Sequence, residues 1–282
     1  MFKLWRYAAA LALPFVLLSS AQAQAQTDTV RDRESLINWY YAATFGTGTY
    51  TAGDRSVTVF QLPFSHPLQT VEDDGVGLRF KLSATLGIYD FGFDSVIHAD
   101  LPHRISTLSL LPGLEWEMLL NKRWTIRPYV DGGYGRELTG GQSAWIYDFG
   151  VKSRFIFAEH HGVEFALANA LASAGYRSPG GPNQTFGYLA TGLDITIPTD
   201  KQLFGRTTYL GFTPVYYYYF NRLNIAQFDD RNNRIREEFE LAVSLVARKP
   251  WSLKFFHVDR VGLALRTNDD VTGVTLFTSL PF

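Results

Sequence analysis

Six histidines and a long series of alternating charges are the residues in this chain with types suited to chemistry. A histidine base activates serine only within hydrogen-bond reach. The patterns H-x-x-S-N and H-x-S are both absent. Ser65 and His66 are adjacent, so an extended backbone sends them to opposite faces. His98 and His103 fall in a polar stretch with Asp94 and Asp100. That set suits a metal or His–Asp hydrolysis, and equally a solvated loop. His160-His161 reads as a solvated turn, and His257 interrupts an apolar strand face. No catalytic, cofactor-binding or metal-ligating residue is assigned, and the expectation is a non-enzymatic protein without cofactors. A lipid or peptide hydrolase using these histidines stays open as an alternative.

The charges are more regular. Arg79, Lys81, Glu115, Glu117, Arg127, Asp131, Asp148, Lys152, Arg154, Arg236, Glu238 and Glu240 fall at even spacings and alternate with mostly apolar residues, although Ser153 and Glu237 interrupt the apolar face. Glu164 and Asp194 fit the same scheme. A strand has a period of two, so these residues share one face and the apolar ones share the other. They are the candidate lining of a wet or ion-paired interior, as a structural network or as a filter for solutes.

The elements that must position them are strands of about ten to sixteen residues divided by turn residues. About twelve are expected: 39–49, 55–64, 76–89, 105–120, 124–135, 144–157, 163–176, 186–197, 206–221, 235–245, 251–266 and 271–282. The eleventh is the least regular, because His257 and Asp259 break its apolar face, and a turn or bulge is expected there. The seventh has a small inner face, Ala166, Ala168, Ala170 and Ala172. In Tyr216–Phe220, alternate residues face opposite ways, which suits an aromatic girdle. Such a set predicts an all-β fold, a single up-and-down antiparallel transmembrane barrel.

Both ends agree with that reading. Lys3 and Arg6 precede an apolar run to Leu18 and a small-residue cleavage site at 19–25, the pattern of a signal peptide. Residues 26–38 are polar and could form a short helix placed in the lumen, and 39–282 are expected to form the barrel. The C-terminal alternation puts Leu276, Leu280 and Phe282 on one face, an expected assembly signal. Loops are expected to be short on the side of the termini and long on the other, with 65–75 and 198–205 longer than the pattern wants.

Composition sets the boundaries. The net charge of -1 gives no reason to expect a nucleic-acid partner. The absence of cysteine excludes disulfides and thiolate metal sites. The aromatic share of 15% suits a barrel with interfacial girdles.

Signal peptide, short N-terminal segment, about twelve strands and terminal Phe282 together resemble the solitary, passenger-less autotransporter-type barrels. The resemblance implies the outer membrane of a Gram-negative bacterium, contact with its lipid, and the barrel-assembly machinery as a partner during insertion. It also implies a helix before the first strand that threads the lumen, a position matched by 28–38. A structural or narrow-pore role follows. A surface-binding role through the long outer loops is the remaining alternative. Oligomeric state is left open.

Overall fold

The alternation closes on itself. The computed structural model describes residue 39 and residues 46–280, except 53–54, 72–74, 90–105, 139–140, 180–182, 204, 225–233, 254–255 and 269–270. Expectations on the signal peptide, the segment 26–38, His98, His103 and Phe282 lie outside the described residues.

The strands are β1 (Thr47–Ala52), β2 (Arg55–Gln69), β3 (Val76–Tyr89), β4 (Thr107–Asn121), β5 (Trp124–Glu137) and β6 (Ser143–His160). They continue as β7 (Val163–Arg177), β8 (Asn183–Leu203), β9 (Arg206–Asn224), β10 (Arg234–Leu253), β11 (Phe256–Thr267) and β12 (Val271–Phe277). Each pairs antiparallel with its sequence neighbours, and β1 pairs with β12 from Thr47↔Leu276 to Ala52↔Val271. The fold is therefore a closed, all-β, twelve-strand antiparallel barrel.

Closure gives every strand an inner and an outer face. Outward-facing apolar side chains stand exposed on each strand from β2 to β12: Leu62, Phe80, Leu110, Val130, Phe155, Leu171, Leu189, Phe212, Val243, Leu263 and Leu276. The inner face holds the buried set, including Ala166, Ala168, Ala170, Ala172 and Ala174 on β7. Those small residues leave room for long side chains from the facing strands.

Several boundaries differ from the sequence expectation. β1 starts at Thr47, eight residues after Trp39, so Trp39 is not a strand residue. β2 runs on to Gln69 and β8 to Leu203, which shortens both connections that looked too long. β10 runs on to Leu253, well past its expected end at 245, with a register shift between Val246 and Trp251. The irregularity expected within 251–266 is a strand boundary, because β10 ends at Leu253 and β11 begins at Phe256. β12 ends at Phe277, five residues short of the chain end.

The two ends of the barrel differ. The β4–β5, β6–β7, β8–β9 and β10–β11 connections span two residues each and the β2–β3 connection six, while at the other end the β3–β4 and β9–β10 connections are the longest and β1–β2 spans two. In the β6–β7 turn, His161 and Gly162 both have positive φ, 50° and 80°. Two left-handed residues define the hairpin turn whose twist matches the flanking strands. A Cβ at Gly162 would also lie 3.2 Å from Pro198 Cγ. Gly162→Ala is expected to destabilise the barrel by about 1–2 kcal/mol. Gly132→Ala, with nothing within 4 Å of the added Cβ, is expected to be near neutral. Unfolding midpoints in detergent micelles check both.

Candidate functional site

Inward-pointing positions on neighbouring strands meet across the lumen, and charged residues occupy many of them. Glu115 on β4 is buried and lies 3.8 Å from Arg79, 4.0 Å from Lys81 and 3.8 Å from Lys152. Lys81 also donates to Asp131 at 2.9 Å. Glu117 sits 3.5 Å from Arg79 and 4.0 Å from Arg127. The Lys81 and Lys152 ammonium groups stand 4.5 and 4.9 Å from the ring centre of Tyr129, whose hydroxyl donates to Asp148. An ammonium over a ring face is attracted by the ring quadrupole, so Tyr129 helps hold two like charges side by side.

A second group centres on Asp194 of β8, which is 0% exposed. It accepts from Arg154 of β6 at 2.9 Å, from Arg260 of β11 at 2.8 and 3.0 Å, and from Thr213 of β9 at 3.0 Å. Arg154 reaches back to Glu164 of β7 at 2.6 Å. One carboxylate thus ties strands from β6 to β11 through the interior. Arg260 presents a fork to both of its oxygens, the geometry that makes guanidinium–carboxylate pairs strong.

A third group lies on β9, β10 and β11. Glu238 accepts from Arg266 at 2.7 and 3.1 Å, from the Tyr219 hydroxyl, and from Asn268 at 3.1 Å. Arg266 also donates to the Tyr219 hydroxyl at 2.8 Å and stacks 4.2 Å from the Tyr217 ring centre. Tyr217 donates to Glu240 at 3.3 Å. Phe186 and Tyr188 continue this aromatic wall, with ring centres 6.1 and 6.0 Å from Tyr219.

Trp39 closes the space between. It is 0% exposed and belongs to the same interior cluster as Tyr50, Ile146 and Tyr219. A Cβ at Gly135 would come within 2.5 Å of its ring. The glycine is thus the seat that admits the indole. At the short-turn end, Leu280 lines a small pocket with Arg127, Lys152 and Arg154.

Of the twelve residues expected to line the lumen, Arg79, Lys81, Glu115, Glu117, Arg127, Asp131, Asp148, Lys152, Arg154, Glu238 and Glu240 lie in these groups or beside them. Arg236 does not. A register shift between Ile235 and Glu237 turns Ile235 inward and Arg236 outward, where its guanidinium meets the Tyr218 hydroxyl. Leu280 also departs from its expected face: with β12 ending at Phe277, it leaves the outer face that Leu276 keeps. Ser65 and His66 point to opposite faces, opposite Lys81 and Phe80 respectively. His160 and His161 are exposed, with ring centres 3.9 Å apart. Among the described residues, no three His, Asp or Glu side chains are grouped as a metal ion would require.

Sequence reasoning missed Arg260, Arg266, Trp39 and Tyr50. The signal for the arginines was present: R-V-G-L-A-L-R from Arg260 to Arg266 alternates cleanly once Asp259 is left outside it. Trp39 carried none, because its burial depends on Gly135, far along the chain.

No protein-family model matches this chain, and no curated protein matches it. A solved structure similar to it is the β domain of the Bordetella autotransporter BrkA, at TM-score 0.47 and 8% identity, covering 82% of this chain and 96% of that one. The fold assignment rests on the chain's own strand pairing.

The Asp194 group gives a direct test of the interior. Removing one member of a buried ion pair leaves an uncompensated charge and costs about 3–5 kcal/mol. Asp194→Asn is expected to lower the unfolding midpoint in micelles accordingly. Glu117→Gln, at a partly exposed site with longer contacts, is expected to cost about 1 kcal/mol or less.

Proposed function

We propose that this chain is an integral barrel of the outer membrane of a Gram-negative bacterium, with a lumen filled by ion pairs and by Trp39. It is a non-enzymatic scaffold or narrow pore of the passenger-less autotransporter type. The observation that carries the reading is the exposed apolar residue on every strand from β2 to β12. An apolar surface encircling a whole molecule is unstable in water and stable against acyl chains. The inverted interior supports it: charge sits inside, where partners satisfy it, and hydrocarbon sits outside. The even strand count places the start of β1 and the end of β12 at the short-turn end, which becomes the periplasmic end and sends the long connections outside. Outer-membrane lipid and the barrel-assembly machinery are then its partners, with the signal peptide and the C-terminal Leu276–Phe282 segment serving export and insertion.

Two measurements test this. The protein is expected to stay with outer membranes through carbonate and urea washing, and to migrate faster on gels before boiling than after. Recovery as a detergent-free soluble monomer would overturn the membrane assignment. In planar bilayers, the intact chain is expected to give little or no conductance, and Trp39→Ala to give larger steps. Large steps from the intact chain would overturn the filled-lumen reading, and equal currents from both proteins would remove Trp39 as the obstruction.

A further inference from the structure

On the outer face of β5, β6 and β7, at the long-loop rim, two arginines flank an aromatic pair. Tyr134 of β5 stands opposite Trp145 of β6, with ring centres 5.3 Å apart in an edge-to-face arrangement. Trp145 is 61% exposed, the most exposed large apolar side chain among the described residues. Arg177 of β7 is paired directly with Trp145 in the ladder. Arg136 lies two residues beyond Tyr134, opposite Ser143. Both arginines are exposed, while Gly135 faces Trp39 inside and Tyr176 is buried, which fixes the arginines on the outer face.

We propose that this patch binds the phosphate groups of a membrane lipid, with the acyl chains against the apolar belt below. The proposal rests on the membrane reading above. Three observations carry it. First, neither arginine has an ion pair among the described residues, unlike Arg79, Arg154, Arg260 and Arg266 inside. Second, the described outward positions of β4 to β8 in this half of the barrel include no carboxylate. Lys201 and Arg206 lie at the opposite end, by the β8–β9 turn. The patch is thus of one sign, and its complement is an anion. Third, the height is right. An amphipathic indole and phenol settle at the headgroup level, between acyl chains and water. Arg136 and Arg177 flank them there, at the depth of lipid phosphates. A guanidinium donates two parallel N–H bonds to a phosphate, a planar fork that lysine lacks. Two arginines on strands separated by one other strand suit a headgroup with two phosphates. Arg236, on the same rim, differs: Tyr218 occupies its guanidinium and Glu237 beside it is exposed, whereas Glu137 beside Arg136 pairs with the buried Thr107 on the inner side.

The test uses the folded full-length barrel in dodecyl maltoside micelles, titrated with bis-phosphorylated lipid A or with the same lipid stripped of phosphate. Native mass spectrometry counts bound lipid. The intact chain is expected to prefer the phosphorylated lipid by about tenfold or more, the scale of a few charge-assisted bonds. Arg136→Gln with Arg177→Gln is expected to abolish that preference, and Arg236→Gln to retain it. Equal binding of both lipids by the intact chain would overturn the proposal, as would a double variant that keeps the preference. Each variant is first shown folded by its faster migration before boiling; Arg177→Gln alone, expected to weaken the preference severalfold, serves if the double variant does not fold. A barrel that is soluble without detergent removes the membrane reading itself. One that enters micelles but ignores lipid phosphate removes only this site.

Discussion

The structure depends on the closure of β1 against β12. Only six residue pairs make that seam, from Thr47↔Leu276 to Ala52↔Val271, yet without it two strands would present unpaired N–H and C=O groups along their length. In hydrocarbon such an edge has no solvent to satisfy it. Closure also fixes which face of each strand is enclosed. Once the ring is shut, the period of two becomes an inside and an outside, and the charge pattern has only one arrangement that avoids stranded ions.

The interior then meets a harder condition than the exterior. Lipid accepts nearly any apolar side chain, but an enclosed charge needs a partner at the right height on another strand. Asp194 shows how that is met: it draws on β6, β9 and β11, elements distant in sequence and adjacent only around the ring. Glu115 does the same with three cations on β3 and β6. The polar network and the ladder therefore constrain each other. A slip of one residue on any strand would turn its charges toward lipid and its leucines toward the network.

That coupling explains what was legible in the sequence. Alternation reports face, so the strand count, the fold class and most of the inward charges could be read directly. Alternation does not report where a strand stops, because a strand keeps its pairing beyond the point where its apolar face ends. β2 and β8 overran their expected ends for that reason. Nor does it survive a bulge, which shifts the inside-to-outside parity by one. Arg236 was assigned to the lumen by counting from Glu238 and Glu240, and the register shift between Ile235 and Glu237, where the extra residues lie on β9, leaves both Arg236 and Glu237 outward and breaks that count. Trp39 and Leu280 were illegible for another reason. Both lie outside the ladder, and their positions are set by contacts with β5, β6 and β7 across the lumen.

The register shift between β9 and β10 also shows how one chain serves two environments. Below it, Glu238 and Glu240 face the interior beside Arg266. Above it, Arg236 and Glu237 face outward beside Tyr218 and Tyr216 at the long-loop rim. Without the shift, either Ile235 would stay outside and Arg236 enter an aromatic interior, or the two glutamates would meet lipid. Bulges bend and twist a strand locally and concentrate at rims. Here the bulge lets strongly charged residues occupy both faces of one strand, inside where they are enclosed and outside only where the belt gives way to water. The same division holds on β5 and β7 without a bulge. Arg127 and Asp131 are enclosed with ion-pair partners, and Arg136 and Arg177 emerge only at the strand ends. Charge on this barrel is thus placed by height along the strand as well as by face, and under the membrane reading proposed above the outward arginines would mark the level at which hydrocarbon ends.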